Sequence, residues 1–233
     1  MQIIERNSWR RHLRHDASLP EELTERLWCA ADTLLNESTM IKDGDRTTVV
    51  RLNLGGRSWL LKRYNLKSPI HSAMHSVVQT RAARCWKFGH LLRQAELNTP
   101  LPVALFEERV GPLRFRSYLI TEFIEGDLLL DVAPTSQDMK NEIPLNQLCQ
   151  EYAKLWSGLE KLRIRHGDTK ATNVIVAADS SLWLIDLDAM MSYPTSWLFR
   201  VAQQRDWRRF LRNWSGQPEI VDAFEDAVNR RAA

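Results

Sequence analysis

The sequence predicts an α+β fold in two lobes: an antiparallel-sheet N-terminal lobe over residues 1–124 and a compact, mainly helical C-terminal lobe over residues 125–233. Three observations carry this. β-rich runs separated by turn dipeptides crowd the first half of the chain, and helical periodicity dominates the second. The 233 residues, 44% of them apolar, suffice for one large domain or two closely joined lobes.

The elements follow in order. Ser18-Leu19-Pro20-Glu21 has the spacing of a capping box and opens a helix whose apolar stripe is Leu23, Leu27, Ala31, Leu34 and Leu35. Thr47 to Leu54 and Arg57 to Tyr64 are two strands joined by Gly55-Gly56, a pair that accepts the positive φ angles of a tight hairpin. On the second strand Leu60 and Lys62 share a face, so a lysine stands where alternation invites an apolar residue. His71 to Leu97 reads as a helix ending before Asn98-Thr99-Pro100, and Leu101 to Glu107 and Arg116 to Ile124 read as strands about Gly111-Pro112. Glu142 to Leu162 is helical, Val174 to Val176 and Leu182 to Leu187 are short strands, and Ser196 to Trp214 and Pro218 to Arg231 are closing helices. A sheet-rich lobe followed by a helical one implies a cleft for a ligand, with the hinge near Thr121 to Asp127.

Composition removes several function classes. Lys plus Arg total 32 against 29 Asp plus Glu, a formal charge of +3 that gives no whole-molecule attraction to nucleic acid. Cys29, Cys85 and Cys149 are scattered and form no C-x-x-C, which speaks against a disulfide framework or zinc cluster and for a reducing, cytoplasmic setting. The stretch MQIIERNSWRRHLRHD is charged throughout, so the sequence reads as lacking a cleavable signal, and no long apolar run reads as a membrane span.

One segment carries chemistry. In His166-Gly167-Asp168-Thr169-Lys170-Ala171-Thr172-Asn173 an aspartate precedes an asparagine by five positions, and Asp186 follows thirteen positions later at the end of Leu182-Trp183-Leu184-Ile185. This is a phosphoryl-transfer constellation. Such transfer requires a hydroxyl placed in line with the γ-phosphorus and neutralisation of the transferring charge, with little other covalent work for the protein. Asp168 is the expected proton acceptor and Lys170 the expected γ-phosphate contact, while Asn173 and Asp186 offer the oxygen ligands that Mg²⁺ prefers. In Trp59-Leu60-Leu61-Lys62 the lysine resembles the strand lysine of kinases that holds the α- and β-phosphates, which makes Lys62 the expected phosphate cation. His166 reads as support for the loop. Asp188 has two readings, a second ion ligand or a turn cap, and Asp206 has two, a tether for the loop or an exposed helical aspartate. Against a standard kinase, Lys42 to Thr48 holds one glycine where G-x-G-x-x-G is usual, and Glu96 is the only acid in the Arg81 to Glu96 stretch to partner Lys62.

The loop resembles that of protein-kinase-like enzymes, with H-G-D for H-R-D and Asp186-Leu187-Asp188 for D-F-G. Together with Lys42-Asp43-Gly44, Leu61 to Tyr64, Ser117 to Glu122 and Asp206 to Trp214, it is similar to the lipopolysaccharide kinase family over about residues 40 to 215. The resemblance implies a protein-kinase-like fold, ATP and Mg²⁺ as cofactors, and a heptose or Kdo sugar of the lipopolysaccharide inner core as acceptor, phosphorylated at the cytoplasmic face of the inner membrane. It implies that Lys62, Asp168, Lys170, Asn173 and Asp186 are functional and that Glu122 and Phe123 lie by the adenine. The 47 residues after Asp186 favour a compact constitutive enzyme. The basic, Trp-bearing stretches Trp9 to His15 and Arg205 to Trp214 fit either peripheral contact with anionic headgroups or ordinary solvated faces. A competing enzyme reading is phosphorylation of another small hydroxyl compound or of protein; a non-enzymatic alternative, a nucleotide-binding pseudokinase scaffold, is opposed by the presence of Lys62, Asp168, Asn173 and Asp186 together.

Overall fold

A computed structural model of the chain describes residues 2–65, 79–133 and 143–232. They form two compact units, Met1–His90 with Leu101–Phe123, and Leu91–Pro100 with Ile124–Ala233.

The first unit is an antiparallel sheet of β1 (Ile3–Asn7), β2 (Arg11–Asp16), β3 (Thr39–Gly44), β4 (Thr47–Leu54), β5 (Arg57–Tyr64), β6 (Pro102–Val110) and β7 (Leu113–Glu122), in the order β1-β2-β6-β7-β5-β4-β3. The predicted hairpin at Gly55-Gly56 is β4 and β5. Both glycines have positive φ, 63° and 70°, which lets the two-residue turn fix the register from Leu54↔Arg57 to Thr47↔Tyr64. That register sets Lys62 between Val49 of β4 and Leu119 of β7. Its Nζ lies 5.1 Å from the centre of the Tyr64 ring, two residues along on the same face.

Helix α1 (Glu21–Asn36) buries the stripe Leu23, Leu27, Ala31, Leu34 and Leu35 in one core with Val50, Leu52, Leu61, Tyr118 and Ile120 of the sheet. Its start differs from the sequence expectation. Pro20 is the N-cap, no side chain caps the helix, and the Ser18 amide instead donates to Asp16 Oδ1 at 2.7 Å. The helix begins at Glu21, too late for Ser18 to reach its free amides. The hairpin β1–β2 was not expected at all. Its alternation is hidden because, in Arg11–Asp16, the buried positions are His12, Leu13 and Asp16, only one of which is apolar.

Of the helix expected from His71 to Leu97, residues 71–78 lie outside those described, and α2 runs Arg81–Gln94. Thr80 caps it by accepting the Ala83 amide at 3.1 Å. At the far end the Leu97 amide donates to Leu92 O and the Glu96 amide to Arg93 O, with Glu96 at φ 58°: a Schellman stop. Glu96 is therefore an exposed residue beyond the helix end. The sequence expectation places it on the helix itself.

The second unit contains β8 (Asp127–Leu128), α3 (Leu129–Val132), α4 (Leu145–Lys161), β9 (Ile164–Arg165), β10 (Val174–Val176), β11 (Leu182–Leu184), β12 (Met191–Ser192), α5 (Ser196–Leu211) and α6 (Pro218–Ala232). Glu142, where the sequence placed the start of α4, lies outside the described residues. The core is aromatic: Tyr152 of α4 stacks on Phe210 of α5 with ring centres 4.0 Å apart, and Phe224 of α6 meets both rings edge-on. Residues 91–100 belong here because Thr99 donates to the Leu184 carbonyl at 2.7 Å and Leu97 packs directly on Gly158 of α4.

Candidate active site

The segment between β9 and β10 is a polar loop whose shape is fixed from three directions. His166 is buried, and its Nε2–H donates to the Ile185 carbonyl at 3.0 Å while Nδ1 accepts the Asp168 amide at 3.4 Å. Those bonds select one neutral tautomer. Burial holds the ring below the ordinary imidazole range, against the opposing pull of the Ile185 carbonyl and nearby carboxylates. The imidazole thus braces the loop, as its residue type and position suggest.

The second support is Asp206, on α5 and only 2% exposed. Its Oδ2 accepts the Gly167 amide at 2.7 Å and its Oδ1 accepts from Arg165 Nε at 2.9 Å. Of the two readings the sequence left open for Asp206, the structure selects the tether. Gly167 is the third. Its φ is +85°, and a Cβ there would run into the backbone carbonyl of Ala189. Glycine stands in H-G-D because both the φ angle and the space require it.

On this frame Asp168 is oriented by Asn173, whose Nδ2 donates to the Asp168 carbonyl at 2.8 Å and to its Oδ2 at 3.3 Å. Lys170 Nζ lies 3.1 Å from Oδ1 and 3.2 Å from Oδ2. Oδ1 is shielded from solvent and receives no aligned hydrogen bond among the described residues, yet a second cation, Arg209 of α5, stands 2.7 Å away.

The pairing of β10 with β11 explains why Asp186 belongs to the same place. Val174 pairs with Leu184, so Asn173 faces Ile185, whose amide donates to the Asn173 carbonyl at 2.9 Å. Asp186 follows immediately, in the left-handed region at φ 61°. A non-glycine residue is held there only when its surroundings dictate it, which is a common mark of a functional position. Asp188 is buried in the short turn Leu187–Ala189.

The donor set suits a hard cation. The Asn173 amide nitrogen is directed at Asp168, which leaves its oxygen, with the Asp186 carboxylate, as groups that could meet a metal. Among the described residues no group of three or more His, Cys, Asp or Glu could hold an ion, but Mg²⁺ commonly takes one or two protein oxygens and completes its shell with phosphate and water.

Lys62, Glu122 and Phe123 belong to the first unit. The Glu122 carboxylate accepts the Leu101 amide at 3.0 Å, and the Phe123 ring lies 4.1 Å beneath the Arg51 guanidinium. Sequence reasoning missed Arg209 and Arg165. Arg209 was signalled by spacing alone: three residues beyond Asp206 on one helix, it shares the face that touches the loop.

A buried tether, a braced aspartate and two adjoining oxygen-bearing side chains form a loop that could accept a proton and hold a hard cation. The chain belongs to the lipopolysaccharide kinase (Kdo/WaaP) family, which it matches over residues 26–225. It is similar to a 3-deoxy-D-manno-octulosonic acid kinase of Stenotrophomonas maltophilia strain R551-3, 28% identical over 160 residues that cover 66% of this chain and 59% of that one. An enzyme of the same name from Vibrio vulnificus strain CMCP6 is 28% identical over 114 residues, 46% of this chain and 44% of that one. The chain thus spans about half the length of the relatives it matches.

Proposed function

We propose that the chain is an ATP-dependent sugar kinase of the two-lobed, protein-kinase-like type, acting on a sugar acid of the lipopolysaccharide inner core. The observation that carries this is the Asp168 carboxylate, held by Asn173 in a loop anchored on Asp206, with Asp186 brought alongside by the β10–β11 pairing. The similarity to 3-deoxy-D-manno-octulosonic acid kinases supports the octulosonic acid as the acceptor in this reading.

Asp168 takes the proton of the acceptor hydroxyl as that oxygen bonds to the γ-phosphorus of ATP; the bond from phosphorus to the bridging oxygen breaks and ADP leaves. Lys170 turns from Asp168 to the transferring phosphoryl group. Lys62 holds the α- and β-phosphates, and the backbone around Glu122 and Phe123 lies by the adenine. Asn173 and Asp186 hold Mg²⁺, which when bound neutralises phosphate charge.

The acceptor is part of a membrane glycolipid, so peripheral contact with the cytoplasmic face of the inner membrane belongs to this reading. No helix among the described residues is long and apolar enough to cross a membrane. The outer face of α5 offers a different means: Trp197, 71% exposed, with Leu198 and Val201 beside the exposed Arg200, Arg205 and Arg208. Trp214, part of the basic stretch singled out in the sequence, is instead buried in the aromatic core.

The test is transfer of labelled phosphate from Mg-ATP to dephosphorylated core oligosaccharide. The wild type should label the acid sugar, and Asp168→Ala should reduce the rate by at least about a hundredfold while nucleotide still raises the melting temperature. Full activity in Asp168→Ala would reject the assigned base.

A further inference from the structure

We propose that Arg209 is an acceptor-binding residue: it receives an anionic oxygen group of the acceptor and, before the acceptor arrives, rests on the catalytic carboxylate. This deepens the sugar-kinase reading and depends on it for the identity of the acceptor.

Three features of the site lead there. First, Asp168 does not need Arg209 for its orientation. Asn173 holds both its carbonyl and its Oδ2, and Asp206 fixes the loop through Gly167 and Arg165. Second, the contact is one of charge. Arg209 Nη2 stands 2.7 Å from Oδ1 without aligning as a hydrogen-bond donor, so exchanging it for another anion gives up little directional bonding. Third, two cations, Lys170 and Arg209, serve one carboxylate. Both cations are themselves partly exposed, at a surface where an acceptor hydroxyl must arrive.

A guanidinium 2.7 Å from Oδ1 occupies the place where an acceptor hydroxyl would meet that oxygen. Lys170 has the phosphoryl group to turn to; Arg209 requires an anion of its own. A planar guanidinium matches a carboxylate or phosphate through paired N–H donors, which a sugar acid or a phosphorylated neighbouring sugar supplies. Seating that anion draws Arg209 from Asp168 and leaves Oδ1 open to the hydroxyl. Helix α5 makes the exchange local, because Asp206, one turn earlier, stays locked to the loop while Arg209 moves.

The experiment compares wild type, Arg209→Ala and Arg209→Lys in steady-state transfer and in calorimetric titration of the acceptor without ATP. Two acceptor pairs separate the sources of the anion: the acid sugar against its amide, and phosphorylated against dephosphorylated oligosaccharide. Arg209→Ala should raise the acceptor KM and Kd by about ten- to a hundredfold with the ATP KM unchanged and kcat altered less than about fivefold. Arg209→Lys should recover part of that loss. Whichever pair the wild type discriminates and Arg209→Ala does not identifies the group bound.

If Arg209→Ala keeps the wild-type acceptor KM, Kd and discrimination in both pairs, the inference is overturned. It is equally overturned if kcat alone falls and lysine restores nothing, since Arg209 would then only position the loop. A wild-type protein that binds the acid acceptor but transfers no phosphate would instead reject the kinase reading, with the Arg209 comparison still decided by titration.

Discussion

At the scale of single residues, Gly167 shows how a departure from a familiar pattern can have a local steric cause. Kinase-like loops usually carry arginine between the histidine and the aspartate. Here the φ of +85° and the Ala189 carbonyl leave room for hydrogen alone. Gly167→Ala should therefore destabilise the protein by at least about 2 kcal/mol in urea denaturation, combining backbone strain with displacement of the Leu187–Ala189 turn. Activity should fall with it, because that turn follows directly on Asp186. A variant as stable as the wild type would mean that the turn yields without cost. The sequence identified Asp168, Asn173 and Asp186 through their spacing, which the hairpin of β10 and β11 converts into proximity. Arg209 was hidden from the same reading, because a run of arginines on a helix looks alike whether it faces water or a carboxylate.

At the scale of elements, the central device is the attachment of the His166–Asn173 loop to α5. Asp206 is a buried charge whose two oxygens are satisfied by Arg165 and the Gly167 amide. Removing it leaves the Gly167 amide without its acceptor and Arg165 without its carboxylate. Asp206→Ala should cost about 3–5 kcal/mol and abolish transfer, whereas Asp206→Asn, able to keep the amide bond, should fold and retain a measurable fraction of activity. Thermal unfolding and kcat on the two variants separate these outcomes; equal effects would show that charge alone matters. Strands with apolar alternation or glycine turns, such as β4 and β5, were readable because their pattern is local. The hairpin β1–β2 was not, because its pairing with β6 is a long-range event. Its buried face includes His12 and Asp16, which composition marks as surface residues.

At the scale of the whole molecule, stability against acid rests on a carboxylate that no sequence pattern singles out. Glu107 of β6 is 1% exposed. Burial by itself would raise its pKa, but hydrogen bonds with His12, Thr80 and Arg109 outweigh that and hold it at about 2 against an ordinary 4.5. Because Thr80 also caps α2, the same carboxylate ties a helix start to the sheet. The sign follows from the direction of the shift. The unfolded chain takes up this proton more readily, so the stabilisation is complete above about pH 4.5 and is lost as pH falls through the folded value near 2. The wild type should lose on the order of 3 kcal/mol across that window from this group alone. Glu107→Gln should be less stable than wild type at neutral pH, and the difference in melting temperature between the two should shrink steadily as the pH is lowered from 5 toward 2. A difference that stays constant across that range would show that Glu107 is not ionised in the folded protein, and that the contact between β2, β6 and α2 is held by packing instead.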